Sequence, residues 1–364
     1  MTRLAPVAAA LAFGVTCAAA QAPPSYRVGV VSESGDMVTW LRPESGGRLA
    51  LDHVVKIDPR PPEIDGPHNI TTAPDQQSYY VSVSHGTPYG ALWRLDVKTD
   101  TLLGIAPLEM YPTTIALTPD GEFAFVANSD FYGDRPHVNP VSIVHTPTMT
   151  TITNLPACDM PHGAKVNHSG RVVYIACMHS DELLEIDLST LAIAHRTSLG
   201  TGQPMAGMSH GASAGAGLDG ECSATFVAVS PDDKRLYVAC NHGTGMQVWD
   251  ATTRQLITTV ATGAGAYNVE PSPDGKWVIV TNKKDQSVSV IDAATLVEVK
   301  RIPTSKKIVH GVAFAPDGRY AYISQESIGA DPGAVDVLDL ESLRIVSSFP
   351  VAAQPTGITI LRSR

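Results

Sequence analysis

The feature that most constrains the fold of this sequence is a short turn motif that returns along the chain. Each copy follows one alternating apolar stretch and precedes another, and a third apolar stretch then ends in Asp, as at Asp187 and Asp292. A fourth stretch, such as VEVKRIP at 297–303, completes the unit. Four short strands in each unit of about 42–50 residues are typical of the blades of a β-propeller. The turn copies are APDQ at 73–76, TPDG at 118–121, NHSG at 167–170, SPDD at 230–233, SPDG at 272–275 and APDG at 315–318.

Six units are complete, and the two ends of the chain supply the parts of one more. The chain finishes with PTGITIL at 355–361, which matches a first strand alone, whereas YRVGVVSES, MVTWLRP and DHVVKID near its start match strands two to four. We therefore predict an all-β fold, a seven-bladed β-propeller in which N- and C-terminal strands close one blade. Such closure removes free sheet edges, at which strands of other molecules add.

The composition agrees with short strands joined by tight turns. Charged residues make up 17% of the chain, while Gly and Pro number 30 and 27, a balance that favours turns over long surface helices. The net charge is −10, and no run of five Lys and Arg occurs, so nucleic acid and anionic membrane surfaces are not expected as partners. The fingerprints of phosphate and dinucleotide sites are missing as well, and no nucleotide cofactor is predicted.

The beginning of the chain is typical of a secretory signal. A charged start at Arg3 precedes an apolar run, 4–15, and a small-residue cleavage site at 18–20. This run is too short to span a bilayer, and no other apolar stretch approaches that length. We predict a signal peptide over 1–20 and a single propeller over 21–364, without a membrane span, in the periplasm or outside the cell.

Three segments of the second half resemble a known repeat. YVACNHG at 237–243, SPDGKWVIVTN at 272–282 and VTNKKDQSVSVID at 280–292 look like the YVTN-type repeat of seven-bladed propellers, which are exported and mostly bacterial. The resemblance extends over nearly all of the predicted mature chain and implies the propeller fold. The wider superfamily includes lactonase-like hydrolases, lyases, quinoprotein subunits, heme-bearing propellers and a copper-bearing propeller. Function must therefore be argued from the site.

Histidines gather at one face of the predicted ring. In a propeller the first strand of each blade starts, and the second strand ends, at a shared face, which we call the top rim. A single histidine there is more often an ordinary surface hydrogen-bonder, but several around one channel mouth favour metal ligation or general-base chemistry. The histidines at these strand ends are His68, His162 and His310 in first strands, and His85, His179 and His242 in second strands.

Four cysteines show a second regularity. Cys158 precedes Cys177 by 19 residues, and Cys222 precedes Cys240 by 18. We expect each pair to bracket the hairpin of one blade near its mouth, and in an exported protein this pattern predicts two disulfides. A pairing across blades, or thiolate ligation of a metal, is the alternative.

A Gly- and Ala-rich insertion, 200–222, separates the third complete unit from the fourth and is predicted to lie over the top rim. It carries Met205, Met208 and His210, two thioethers and an imidazole, which are soft ligands that suit Cu(I). The alternative is a loop whose methionines only shield apolar surface.

Three functions follow from these features. The first is a metal-binding propeller, with copper as the first choice and zinc as the second, that stores metal or carries out redox chemistry. His68, His162 and His310 are its core ligands, and His85, His179 and His242 are additional ones. Its requirement is strict, because imidazole nitrogens must come within about 2 Å of the same ion.

The second function is a lactonase-like hydrolase or lyase, in which a rim histidine acts as general base beside a carboxylate such as Glu326. The third is a propeller without catalysis, predicted to be a monomer, whose top rim docks a periplasmic protein partner or a small-molecule ligand. The third function predicts exposed aromatic side chains at the rim. Candidates for these are Tyr89, Phe131, Tyr132 and Tyr267.

Overall fold

The computed structural model describes most of the chain, in six stretches. They are 26–57, 66–84, 90–131, 138–200, 222–243 and 245–362. Several predictions therefore concern residues outside the described ranges: the signal peptide at 1–20, His85, Tyr89, Tyr132, Met205, Met208 and His210.

The described residues form seven four-stranded antiparallel sheets, which confirms the prediction of an all-β, seven-bladed propeller. The first strands of neighbouring blades contact one another all the way around the ring and therefore line its centre. Each complete blade then runs outward in chain order to its fourth strand. The one helical segment in the described ranges is a 3₁₀ turn, Ser45–Gly47.

The strand bounds follow the predicted repeat. The closing blade begins with β1 (Tyr26–Ser32), β2 (Met37–Glu44) and β3 (Arg48–Lys56). Blade 1 contains β4 (Pro67–Thr72), β5 (Ser78–Val83), β6 (Ala91–Asp96) and β7 (Leu102–Pro107). Blade 2 contains β8 (Pro112–Leu117), β9 (Phe123–Asn128), β10 (Asn139–His145) and β11 (Thr150–Cys158). Blade 3 contains β12 (Pro161–Val166), β13 (Val172–Cys177), β14 (Glu182–Asp187) and β15 (Ala192–Ser198).

The second half of the ring repeats this order. Blade 4 contains β16 (Ala224–Val229), β17 (Arg235–Cys240), β18 (Gly245–Asp250) and β19 (Leu256–Ala261). Blade 5 contains β20 (Ala266–Pro271), β21 (Trp277–Asn282), β22 (Ser287–Asp292) and β23 (Val297–Pro303). Blade 6 contains β24 (Ile308–Phe314), β25 (Tyr320–Glu326), β26 (Gly333–Asp339) and β27 (Arg344–Val351). The last strand, β28 (Pro355–Arg362), pairs with β1 and completes the closing blade.

The apolar core lies between neighbouring blades. Second and third strands are apolar on both faces because each sheet packs against a sheet on either side, and β9 and β13 are buried along nearly their whole length. A typical cluster joins Tyr237 and Val248 of blade 4 to Val280 of blade 5. Outer strands instead alternate between exposed and half-buried residues, as expected of sheet edges that face solvent.

The two predicted disulfides are present, and the location of one differs from the prediction. Cys222 precedes β16 and is bonded to Cys240 at the end of β17, so this bridge closes the hairpin mouth of blade 4 as expected. Cys158 is bonded to Cys177, but it is the last residue of β11 in blade 2. The expectation of a bridge within one blade was wrong here, because β11 extends up to Cys158, which pairs with Asn139 of β10. The bridge therefore joins blades 2 and 3.

Within the described ranges no helix has the length and hydropathy that crossing a bilayer requires.

Candidate functional site

The structure brings three of the predicted histidines together at the channel mouth. The ring centroids of His68 and His310 are 5.6 Å apart, and those of His68 and His162 are 6.3 Å apart. We call these three residues the histidine trio. Their exposed fractions are 6% for His68, 0% for His162 and 2% for His310. They come from blades 1, 3 and 6, so the trio exists only because the ring brings distant parts of the chain to one centre.

The backbone of the trio is held by threonine hydroxyls. Each histidine carbonyl accepts a hydrogen bond from a threonine of the preceding blade, and these bonds are buried. They run from Thr356 to His68 at 2.7 Å, from Thr113 to His162 at 3.0 Å and from Thr281 to His310 at 3.0 Å. The imidazoles therefore project from a fixed frame, a requirement for any precise site.

The glycine after His162 permits the close approach of two blades. A Cβ atom at Gly163 would lie 2.7 Å from the carbonyl oxygen of Thr225, closer than real Cβ contacts. Because Gly163 has no such atom, the first strands of blades 3 and 4 come close enough for His162 Nδ1 to reach the same carbonyl, at 3.0 Å. The His-Gly pair is thus a packing motif that orients the imidazole.

His68 is oriented by a carboxylate. Its Nδ1 lies 3.0 Å from Glu33 Oε2, and Tyr111 donates its hydroxyl to Glu33 Oε1 at 2.8 Å. A carboxylate only accepts hydrogen bonds, so the proton is on His68 Nδ1. Within the described ranges the His68 ring makes its hydrogen bond through Nδ1, which leaves Nε2 and its lone pair for a ligand.

His162 uses both ring nitrogens within the protein. Its Nδ1 donates to Thr225 O, so its Nε2 is the acceptor for the hydroxyl of Tyr267, at 3.1 Å. Burial lowers the pKa of His162 from its usual 6.5 to about 3, and the neighbouring His68 adds to the effect. Burial also raises the pKa of Tyr267 well above its usual 10. At neutral pH the pair is therefore an uncharged phenol bonded to an uncharged imidazole.

His310 is close to a charged pair. Its Nε2 lies 3.8 Å from Glu326 Oε1, which accepts from Lys283 Nζ at 3.1 Å. Lys283 Nζ also lies 4.2 Å from the centroid of the Tyr267 ring, a cation–π arrangement. Burial, followed by the charge of Lys283, lowers the pKa of His310 well below its usual range. Its Nδ1 is buried and has no hydrogen-bond partner within the described ranges.

Aromatic rings surround the trio. Phe226 and Phe131 lie 5.1 and 6.1 Å from the His162 ring, and Tyr267 lies 4.7 Å from the His310 ring. Phe131 is 41% exposed, as a docking rim predicts. The prediction of an exposed Tyr267 was wrong, because this side chain turns inward to reach His162 and is only 7% exposed.

Other predicted ligands lie apart from the trio or are used elsewhere. His179 and His242 are exposed, and His179 Nδ1 lies 3.4 Å from Asp159. No ring contact joins either of them to the trio within the described residues. All four cysteines within the described ranges are in disulfides, so the alternative of thiolate ligation was wrong.

The geometry gives no support to a copper site built from the trio. Within the described ranges no group of three or more His, Cys, Asp or Glu side chains is placed to hold a metal ion. The physical reason lies in His162, whose two ring nitrogens bond Thr225 and Tyr267 and so are not presented to an ion.

Sequence reasoning missed Glu33, Tyr111 and Lys283 as members of the site. A signal for Glu33 was present, because it follows the end of β1 as Ser-Glu-Ser, 32–34, while blade 6 ends its second strand in Gln-Glu-Ser, 325–327. An alignment of the closing blade with blade 6 would have placed both carboxylates at the top rim. Nothing comparable marks Tyr111, which precedes β8 in a loop.

Parts of this chain are similar to two groups of known proteins. The family model described as the Cytochrome D1 heme domain matches residues 218–311, about a quarter of the chain. This stretch contains Tyr267, Lys283 and His310. Among curated proteins, a 6-phosphogluconolactonase of Yersinia enterocolitica is 28% identical over 148 residues, 40% of this chain and 41% of that protein. The chain therefore matches less than half the length of this relative.

Solved structures share the fold. The dihydro-heme d1 dehydrogenase NirN in complex with DHE has a TM-score of 0.58 and 17% identity, over 93% of this chain and 75% of that one. Hydrazine synthase of Kuenenia stuttgartiensis has a TM-score of 0.61 and 20% identity, over 81% of this chain and 89% of that one. At such identities the likeness shows the architecture alone. Together these comparisons show a propeller fold, with parts of the chain similar to a heme-domain family and to a 6-phosphogluconolactonase.

Proposed function

We propose that the channel mouth binds a heme-type ligand, whose iron His68 would hold. One observation carries this proposal: within the described residues the His68 ring makes its hydrogen bond through Nδ1, which Glu33 fixes, and so its Nε2 remains for a ligand. Histidine is a frequent axial ligand of heme iron. Metal-ligating histidines nearly always donate their other ring N–H to a carboxylate or carbonyl.

The residues around His68 fit such a group. Aromatic rings of Tyr111 and Phe131 lie beside the trio, and a planar apolar macrocycle packs well on aromatic faces. Lys283 is a half-exposed cation at the same rim and suits the acidic side groups that tetrapyrroles carry. When bound, the iron would supply electron transfer or binding of a small molecule.

The other two histidines would act as neutral groups. His162 and His310 hold no proton charge at neutral pH, because burial lowers the pKa of both. His310, whose Nδ1 has no hydrogen-bond partner within the described ranges, can bond a ligand without a change in net charge. Tyr267, protonated and fixed against His162, keeps that imidazole in one orientation.

The comparisons favour a heme-type group over copper. The matched family is described as a heme domain, and NirN is described in complex with DHE. The two disulfides further support export, since such bonds persist in oxidising compartments. We accordingly propose a periplasmic or secreted protein.

Titration with hemin tests the proposal directly. We expect the purified protein to bind about one equivalent of hemin with a shifted absorption band, and His68→Ala to weaken binding at least tenfold. His179→Ala, which changes an exposed rim histidine paired with Asp159, is the matched control and should bind as the wild type does. Equal binding by the wild type and His68→Ala would overturn the proposal. Elemental analysis of protein isolated from cells is a second test. One copper per chain without iron would contradict the proposal of a heme-type ligand.

A second candidate function is a lactonase-like hydrolase. The observation that favours it is the Lys283–Glu326–His310 group, in which a lysine and an imidazole approach the same carboxylate oxygen, together with the similarity to a 6-phosphogluconolactonase. A neutral imidazole beside a carboxylate is suited to activate water. Hydrolysis of 6-phosphogluconolactone, followed by acid release, should fall at least 100-fold in His310→Gln if this function holds. Absence of hydrolysis by the wild type would exclude this substrate.

A further inference from the structure

We infer that Glu33 is a positioning residue that sets the tautomer of His68 and thereby its capacity to bind a metal centre. The part that concerns the tautomer depends on this chain alone. The part that concerns the metal centre rests on the proposed function. The two parts are separable, because the tautomer can be measured in protein without any ligand.

The first step is the location of Glu33. It follows β1 in the closing blade and is 2% exposed. Its backbone N–H donates to Gln354 O at 2.9 Å, just before β28. The loop that carries Glu33 is therefore tied to the strand that completes the ring, and the carboxylate has little freedom to move.

The second step is that Glu33 joins three blades at one point. One carboxylate oxygen is 3.0 Å from His68 Nδ1 in blade 1, and the other accepts from the Tyr111 hydroxyl, which precedes blade 2, at 2.8 Å. The Tyr111 bond fixes the rotation of the carboxylate, so the oxygen that faces His68 is held in place. A fixed anionic acceptor at Nδ1 favours the tautomer that carries its proton there.

The third step is the consequence for ligation. A neutral imidazole binds a metal only through its unprotonated nitrogen. With the proton on Nδ1, that nitrogen is Nε2, since within the described part of the chain the ring bonds Glu33 through Nδ1. Without the carboxylate the other tautomer, which carries its proton on Nε2, becomes accessible and cannot bind a metal through that nitrogen. Loss of such hydrogen-bond partners typically weakens metal affinity about 10- to 100-fold.

The experiment uses Glu33→Gln in the full-length mature protein. The amide keeps the size of the side chain but can donate as readily as it accepts, so it no longer dictates one tautomer. The matched control is Glu185→Gln, which changes another buried carboxylate, paired with Arg254 and outside the top rim. It reports the effect of removing a buried charge as such. Tyr111→Phe removes the hydroxyl that donates to Glu33 but keeps the carboxylate itself, and should give a smaller effect.

Two readouts are needed. Nitrogen-15 NMR of the histidine rings, with His68 assigned from the spectrum of His68→Gln, reports the tautomer in ligand-free protein. Hemin titration reports affinity. We expect the wild type and Glu185→Gln to show His68 protonated at Nδ1 and equal hemin affinity. We expect Glu33→Gln to show mixed tautomers and a 10- to 100-fold weaker hemin affinity.

Each outcome decides between the two parts. An unchanged His68 tautomer in Glu33→Gln overturns the inference. The inference is also overturned if Glu33→Gln shows mixed tautomers but binds hemin with an affinity within twofold of the wild type. If the wild type binds no hemin but Glu33→Gln loses the fixed tautomer, the positioning role of Glu33 stands and the proposed heme function fails. Mixed tautomers together with weakened hemin binding support both.

Discussion

At the scale of residues, one side-chain type is used in three different electrostatic settings. His68 faces an anion at Glu33, His162 lies between a carbonyl and a phenol, and His310 approaches a carboxylate already paired with Lys283. Their rings lie within a few ångströms of one another, yet only His68 has a nitrogen fixed by a charged acceptor at hydrogen-bond distance. The environment rather than the residue type therefore separates a candidate ligand from its neutral neighbours.

The burial of His162 predicts that the protein becomes less stable in mild acid. Its pKa is about 3 in the folded chain and 6.5 without burial, so between these values the unfolded chain binds a proton that the folded chain does not. The contribution of the buried, neutral His162 to the free energy of unfolding is complete above about pH 6.5. As the pH falls below that value, the free energy of unfolding decreases by roughly 1.4 kcal/mol per pH unit. Urea unfolding at pH 7.5, 6.5 and 5.5 measures it.

Two variants make the pH test specific. His162→Gln should reduce the slope of unfolding free energy against pH, since glutamine does not titrate. His195→Gln changes an exposed histidine of an outer strand and should leave the slope unchanged. The same slope in the wild type, His162→Gln and His195→Gln would contradict the assignment of this acid sensitivity to His162. His310 contributes in the same direction, because burial lowers its pKa too, so part of the slope should remain in His162→Gln.

The positions of the trio could be predicted from the sequence, whereas their partners could not. The repeat places His68, His162 and His310 at equivalent strand starts, and equivalent positions in a ring must meet at its centre. Which atoms they contact depends on side chains from other blades, such as Glu33 and Tyr267, at distances along the chain of 35 and 105 residues. No local pattern encodes such pairs, and this is why a shared metal ion was a reasonable but unsupported interpretation.

At the scale of elements, blade boundaries were harder to predict than blades. Strand number and turn positions followed from the repeat, because the period of two and the turn residues are local signals. The end of an outer strand is not marked in this way, since edge residues are exposed and tolerate most side chains. Cys158 was therefore placed in blade 3 rather than at the end of β11 in blade 2.

Removal of either disulfide should destabilise the protein. We expect Cys158→Ala with Cys177→Ala, or Cys222→Ala with Cys240→Ala, to lower the free energy of unfolding by about 2–5 kcal/mol, because the bond restricts the unfolded chain. Denaturant unfolding under non-reducing conditions measures the loss. Mass mapping of the unreduced wild type should give the pairs 158–177 and 222–240. A peptide linking Cys158 to Cys222 would contradict the structure.

At the scale of the whole molecule, the ring is closed by strands from the two ends of the chain. β28 pairs with β1 in antiparallel register, with Val28 opposite Ile360 and Val30 opposite Ile358. Glu33 lies at the same junction of β1 and β28, and its backbone N–H donates to Gln354 O. Closure therefore completes both the sheet of one blade and the environment of His68.

Deletion of the last strand tests the importance of closure. A chain that ends at residue 354 lacks β28, which leaves the edge of β1 and an inner face of the ring uncovered, and exposed edges promote association. We expect aggregation or loss of the cooperative thermal transition, measured by size-exclusion chromatography and circular dichroism. A chain that lacks only 363–364 retains β28 and is the control. A monomeric, cooperatively folded protein without β28 would contradict this role.

Because Glu33 is bonded to Gln354 beside the strand that closes the ring, ligand binding at His68 is linked to how long the ring stays closed. A ligand that requires His68 in one tautomer would favour the closed ring, since opening separates the Glu33 loop from Gln354. By mass action, such a ligand at 100 times its dissociation constant would stabilise the closed state by about 2.7 kcal/mol. Ligand capture would then slow the opening of the protein at its own termini, so that loaded molecules outlast empty ones.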